Sequence, residues 1–537
     1  MGNWKQRILE AIWQVPSVMG VEWNQATDDW YHIDEYGNHV TPQGGYFDRH
    51  PVWGGMRRCT LAAAGTVNHY GANPRGDGLD LTGADGRVMV EIPKFYVKGE
   101  SPSANVYRWW ISPSARPGYE VHPAFVQRGG VEKDYIYVGA YDADFEYDGA
   151  DAAYNAANEK LHSRTAKQPY TGSADCIWSI PVDDLAFEPN IGDVCSTPTE
   201  GGFIIVDYLK TAGAWGGGGA GDTAIIWLRK PGDATCGMAG AEVLTNDTAV
   251  NAIGNTTAGP TGRTVIESHC RTLAENIGAG WGIFSIWPLS AVQLLFYTEY
   301  AGADSQTLVG SGVTGKAGGT GFNGELSGAN STDTEIGENG TGQGTGTEDE
   351  TPIAYRGIEN LWGNIWQFID GYDGVDGDVG ATDVKYRLIN RDGSGTFANP
   401  MAGGDYEESL NETNPADGYI KNIVYQELTK LVFFSSDGGG SSSTYLYDYF
   451  YVHDAGEVNI LRAGGNWADG VLAGVGCRYS DRVAADASRS IGVRLEFIGS
   501  NGDSLSTLDK GILQEGFVYN RALSPAEIAQ SSIMVER

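Results

Sequence analysis

Cysteine is scarce and scattered. The six, Cys59, Cys176, Cys195, Cys236, Cys270 and Cys477, include no Cys-x-x-Cys and no Cys/His pairing at zinc spacing, which removes zinc-finger and thioredoxin-type chemistry. Buried free thiols are expected, with a disulfide among Cys176, Cys195 and Cys236 as the alternative. Basic residues are also few. Lys and Arg total 36 against 69 Asp and Glu, a net charge of −33, so the surface repels phosphates and anionic membranes and the expectation is no nucleic acid partner. The ordinary effect of such acidity is solubility. No apolar run reaches the ~20 residues that cross a bilayer. The best, Ile283 to Tyr297, is interrupted by Trp-Pro and by Ser-Ala-Val-Gln, so no membrane insertion is expected. The opening MGNWKQRILEAIW lacks the basic, apolar and small-residue succession of an export signal, and Gln6 replaces the hydroxyl residue of a myristoylation signal. HExxH, GxSxG and paired Cys/His clusters are missing too, so no catalytic residue is assigned and the expectation is not an enzyme.

What the chain does have is glycine, 77 in 537 residues, together with 11% aromatics, a composition of many turns between short apolar strands. The length suits two to four domains, or one domain with large insertions. Trp4, Ile8, Ala11, Ile12 and Val15 recur at helical spacing, predicting an amphipathic helix over residues 3–15. Strands are predicted within 21–70, 87–98 and 135–141. Asp142, Asp144, Glu146 and Asp148 then form a carboxylate ladder, but Asn155 stands where an EF-hand needs its bidentate Glu, so the ladder reads as a solvated acidic turn. Residues 173–262, with GFIIVDY and TAIIWL separated by glycines, predict a small β-subdomain. Pro288 followed by LSAVQLLFYTEY predicts a helix with proline in its first turn.

Residues 302–350 are too poor in apolar side chains for a core of their own and read as a long loop. Within it, Gly310 to Ala317 imitates a phosphate loop but has Ala317 at the hydroxyl position and glycines where the helix should start, which excludes nucleotide binding. Residues 400–450 carry Tyr-rich strands, and the tail ends in GFVYNRALSPAEIAQ, with Ser524 and Glu527 spaced as a capping box.

Two stretches organise the rest: Arg356 to Tyr372, RGIENLWGNIWQFIDGY, and Leu461 to Phe497, which runs from Gly464, Gly465, Asn466 and Trp467 to Ile491, Gly492, Val493 and Arg494. Together they resemble the C-terminal part of the formylglycine-generating-enzyme type of C-type lectin fold. The likeness continues upstream through MVEIPKFYVKGE, WWISPSARPGYEVHPAF and GWGIFSIWPLSAVQLLFYTEY, and in this extent the chain resembles bacteriophage tail and virion proteins of that fold. The resemblance implies an α+β, β-rich chain. Residues 1–80 would be an N-terminal helix and β-rich segment, and 81–500 a C-type lectin-like domain with large β-rich insertions at 173–262, 302–350 and 400–450. Residues 501–537 would be a C-terminal strand and short helix. Trp366 and Trp467 should be buried. The copper-binding cysteines of the enzymes have no counterpart, since Asp469 and Gly474 hold those places and Cys477 is alone, so oxidase chemistry is not expected.

The implied function is that of a bacteriophage virion structural protein, a tail fibre or receptor-binding protein presenting a lectin-type surface for host adhesion. Its partners would be other virion proteins, copies of itself, and a host surface glycan or protein. A capsid decoration or head-fibre protein of purely architectural role and an atypical polysaccharide hydrolase are the alternatives. Recognition is expected on residues 466–489, in particular Asn466, Asp469, Arg478, Tyr479 and Arg482, because loops on a rigid core change side chains at little cost and aromatic and guanidinium groups anchor interfaces. The one cofactor considered is Ca2+, on the carboxylates Asp370, Asp373, Asp376 and Asp378, whose hard oxygens suit that ion.

Overall fold

The computed structural model describes residues 18–146, 159–172, 178–219, 221–230, 236–262, 265–316, 324–328, 336–378, 380–413, 416–453 and 456–499. The helix expected over 3–15, Asp148, Cys176 and the C-terminal strand and helix lie outside them. Among the described residues strand accounts for 37% and helix for 9%, which makes the fold β-rich.

The core is built around the helix Ile286–Tyr300, which begins two residues before Pro288 and has every side chain from Ile286 to Thr298 buried. No charge occurs before Glu299, and a helix apolar all round has no solvent face to present. Its first turn is held from a distant segment. The Glu496 carboxylate accepts the Ser285 backbone N–H at 2.9 Å and the Ser285 hydroxyl at 2.8 Å, while Arg128 pairs with the same carboxylate at 2.9 Å. A negative charge here also complements the positive end of the helix.

Three sheets surround the helix. A five-stranded sheet has the order Asp29–Ile33, Met19–Asn24, Val106–Ser112, Tyr96–Ser103, Glu120–Val121. A six-stranded antiparallel sheet runs Trp281–Ile283, Arg494–Phe497, Tyr135–Asp142, Arg87–Pro93, Arg57–Leu61, Val67–Tyr70. Both carry pairings across residue 80, where a boundary was expected, so the segment before it shares sheets with the segment after it. The third, nine-stranded sheet places Trp366–Gly377 beside Asn459–Ala463 in antiparallel register and beside Ile491–Gly492 in parallel register. The two organising stretches are therefore hydrogen-bonded neighbours, and Trp366 and Trp467 are buried as expected.

Arg494 ties these layers together. It is fully buried and makes five hydrogen bonds: to Gln367 Oε1 at 3.1 Å, Asp142 Oδ1 at 2.9 Å, and the carbonyls of Gly139, Glu359 and Asn360 at 2.8, 2.7 and 3.0 Å. The other Asp142 oxygen accepts from Asn364 at 2.8 Å. Gly363 and Asn364 both have positive φ, 74° and 63°, the conformation that the Gly-Asn pair tolerates, and this turn aims the Asn364 amide inward. Asp142 and Asp144 are thus not a solvated turn. Both are buried, Asp144 against Arg164 at 2.6 Å, because the strand Tyr135–Asp142 runs under the closing strand instead of ending at the surface.

Residues 178–262 form a β-sheet of their own, as their alternation predicts, and send Val206, Ile225 and Trp227 into the apolar cluster that holds Trp366 and Phe368. The strands of this sheet run Thr223–Arg229, Phe203–Ala212, Val194–Ser196, Val243–Asn246, Asn251–Thr256, Trp178–Asp183, Thr261–Gly262, and Trp178–Asp183 also pairs back onto Thr223–Arg229, closing the ring. The interior holds Trp178, Ile180, Phe203, Ile205, Ile226, Leu228, Leu244 and Ile253, with Cys195 among them. Cys59, Cys195, Cys270 and Cys477 are buried free thiols. Residues 400–450 send Ile420, Val432, Phe433, Phe434, Leu446 and Phe450 into the core around the helix Ile286–Tyr300.

Candidate functional site

The nine-stranded sheet has two different faces at its far edge. Strand Arg478–Val483 lies antiparallel to Asn459–Ala463 and parallel to Tyr449–Tyr451, which in turn pairs with Gly418–Tyr419. Alternation along these strands sends Phe450 and Arg478, which are paired in register, into the main core. Tyr451 opposite Tyr479, and Tyr419 opposite Tyr449, go to the outer face. All four tyrosines are half-buried. Their rings form a continuous row: Tyr419 to Tyr449 at 5.4 Å, Tyr449 to Tyr451 at 4.9 Å and Tyr451 to Tyr479 at 4.3 Å between centroids. Tyr479 then packs on Trp366 at 4.2 Å, which is part of the apolar layer beneath. Successive rings are steeply inclined, a geometry aromatic pairs prefer to the face-to-face sandwich.

Charged side chains border the Tyr479 end. Arg462, opposite Tyr479 in register, pairs with Asp481 at 2.6 Å, and its guanidinium lies 5.4 Å from the Trp366 ring centroid. Arg482 is exposed and within ion-pair distance of Asp481 at 3.6 Å and Asp486 at 3.9 Å. Asn466 and Asp469 form a turn in which the Asp469 carboxylate accepts the Asn466 N–H at 2.7 Å and the Asn466 side chain accepts the Ala468 N–H at 2.7 Å. Burial pushes Asp469 up to about 6.

Arg478 was expected among the contact residues, and the structure corrects this. Its guanidinium is fully buried, donates to the Val432 carbonyl and to Gln293 Oε1, and lies 5.2 Å from the Phe434 ring centroid. Burial lowers its pKa to about 10. The reason is the strand itself, since neighbours on a strand face opposite sides and Tyr479 takes the outer one. Conversely, Tyr419, Tyr449 and Tyr451 were not singled out. The signal for Tyr449 and Tyr451 is the period-2 run Tyr445, Tyr447, Tyr449, Tyr451, although only Tyr449–Tyr451 is strand; Tyr445 and Tyr447 have positive φ and belong to a turn, and Tyr419 lies outside the run.

The four carboxylates expected around calcium each have a partner within the protein. Asp370 is buried and receives two bonds from Arg271, at 2.8 and 2.7 Å. Asp373 accepts the Met401 N–H at 2.8 Å, Asp376 contacts His453 Nε2 at 2.8 Å, and Asp378 pairs with Lys385 at 2.7 Å. Among the described residues, no group of three His, Cys, Asp or Glu side chains is placed to hold a metal ion.

Burial does have a consequence for pH. Asp142, Asp144, Asp373 and Asp469 are all pushed up to about 6, desolvation being the first cause of each. A carboxyl whose folded pKa exceeds its unfolded value stabilises the fold below the unfolded value, and that contribution is lost as pH rises through the folded one. Two kinds of group act oppositely: surface carboxyls held low by hydrogen bonds, such as Asp80 and Asp85, only below about pH 4, and the imidazoles of His32, His122 and His162, held low by desolvation, already as pH falls through about 6.5. Glu91, Glu267, Asp448 and Glu496 are raised by desolvation as well, so the raised carboxyls outnumber the three histidines and the melting temperature is expected to be higher at about pH 5 than at about pH 7.5. Thermal unfolding followed by circular dichroism at the two pH values checks this, and an equal or higher melting temperature at the upper value would contradict it.

No protein-family model matches the chain, and no curated protein is significantly similar to it.

Proposed function

We propose that this chain is a bacteriophage virion structural protein of the tail-fibre or receptor-binding kind, with the tyrosine row as its host recognition surface. The observation that carries the reading is the row itself: four half-buried tyrosines on the outer face of a sheet whose inner face is packed in the main core. Rigid aromatic side chains offer large contact area at low entropic cost, which is why they dominate recognition surfaces. The ordered resemblance of the aromatic segments to phage virion proteins of the lectin-type fold supports the same reading.

Particles carrying Tyr449→Ala together with Tyr451→Ala test it. Both rings are half-exposed, so the variant is expected to fold and assemble normally yet adsorb to host cells at least about tenfold more slowly, a loss of more than about 1.4 kcal/mol in the encounter complex. Normal adsorption by assembled variant particles would end the receptor-binding form of the proposal. Failed assembly of a variant that is folded in isolation would favour the architectural role.

A further inference from the structure

Resting on that reading, we infer that the tyrosine row takes an uncharged glycan of the host surface, a chain of neutral hexose units. Three observations lead there. The row is continuous from Tyr419 to Tyr479, with neighbouring ring centroids 4.3 to 5.4 Å apart, so several rings are offered in sequence to an extended ligand rather than one ring to a point contact. Sugar rings present flat C–H faces that pack on aromatic rings and hydroxyls that need polar partners. The row has both, because each phenol brings its own O–H and the Tyr479 end is bordered by the carboxylates of Asp481 and Asp486 and by Arg482.

Charge selects among the possible ligands. The cations beside the row are already compensated, Arg462 by Asp481 at 2.6 Å and Arg482 by Asp481 and Asp486 at 3.6 and 3.9 Å. An acidic polysaccharide would find no unpaired guanidinium there and would meet a chain of net charge −33. The same charge disfavours a second copy of this chain as the occupant, since two such surfaces repel. A neutral ligand with a hydroxyl-rich edge avoids both penalties, and its affinity does not depend on screening.

The test is calorimetric titration of the full-length protein with neutral oligosaccharides (gluco-, galacto- and manno-configured) and with polygalacturonate as the acidic counterpart. Wild type is expected to bind at least one neutral series, with affinity changing less than about twofold between low salt and about 0.5 M salt. Tyr449→Ala/Tyr451→Ala should weaken that binding by at least about tenfold, while Tyr36→Ala, which removes a ring 79% exposed and outside the row, should not. Binding only to polygalacturonate, binding to no sugar, or binding unchanged in the double variant would each overturn the inference. The outcomes also separate it from the reading beneath it. Double-variant particles that lose adsorption although wild type binds no sugar keep the receptor-binding role and reject the glycan, pointing to a host protein. Particles that adsorb normally reject the receptor-binding role itself.

Discussion

Replacing Arg494 with leucine is expected to destabilise the protein by about 3–5 kcal/mol, the largest effect of any single substitution proposed for this chain. The guanidinium is fully buried, and its five hydrogen bonds reach three segments that are distant in sequence: residues 139–142, 359–360 and Gln367. Leucine fills much of the volume but leaves Asp142 without its opposite charge. It also leaves the carbonyls of Glu359 and Asn360 without this donor, and a buried acceptor that loses its partner costs about 1–3 kcal/mol. Urea unfolding measures the difference. The double variant Asp142→Leu/Arg494→Leu should recover part of it, because replacing both members of a buried pair removes the unpaired charge. A loss below about 1 kcal/mol for the single variant would mean that the pair behaves as a surface ion pair would.

Arg478→Ala and Arg482→Ala should differ sharply although the residues are four apart on one strand. Arg478→Ala strips the donor from the Val432 carbonyl and from Gln293 Oε1 inside the core and opens a cavity beside Phe434, so a loss of about 3 kcal/mol or more is expected. Arg482 is exposed and its ion pairs are long, so its removal should change stability by less than about 0.5 kcal/mol. The melting temperatures of the two variants decide the matter. Equal shifts would show that Arg478 does not carry the buried role that its contacts describe. A binding defect in any variant containing Arg478→Ala is therefore to be read as misfolding first.

Much of the architecture was legible locally. The apolar run after Pro288, the alternation of GFIIVDY and TAIIWL, and the Gly-Asn turn before Trp366 each carry their own physical signal: a helix without a polar face, strands of period 2, and a residue pair that accepts positive φ. They are readable because helical and strand periodicity and turn preference are set by residues one to four positions apart. Closure of the 178–262 strands into a ring was not readable, since it depends on Trp178–Asp183 meeting Thr223–Arg229 across some forty residues of other strands. Nor was the entry of residues 400–450 into the main core, where they behave as part of the domain and not as an appendage.

The candidate site divides the same way. Composition by itself determined that the surface is acidic, and the spacing of Gly464 to Arg494 drew attention to the strand that carries Tyr479. Which side of that strand faces water was decided by the tertiary structure. A strand offers two faces, and only the layer stacked on one of them, here the helix Ile286–Tyr300 and residues 432–434, determines that Arg478 is the inward residue and Tyr479 the outward one. The density of carboxylates from Asp370 to Asp378 was legible in the sequence but their partners were not: Arg271, Met401, His453 and Lys385 reach them from elsewhere in the chain. Local pattern determined which residues form strands, and long-range packing determined which of their side chains are left to meet a ligand, because burial is a property of what is stacked on a face and not of the face alone.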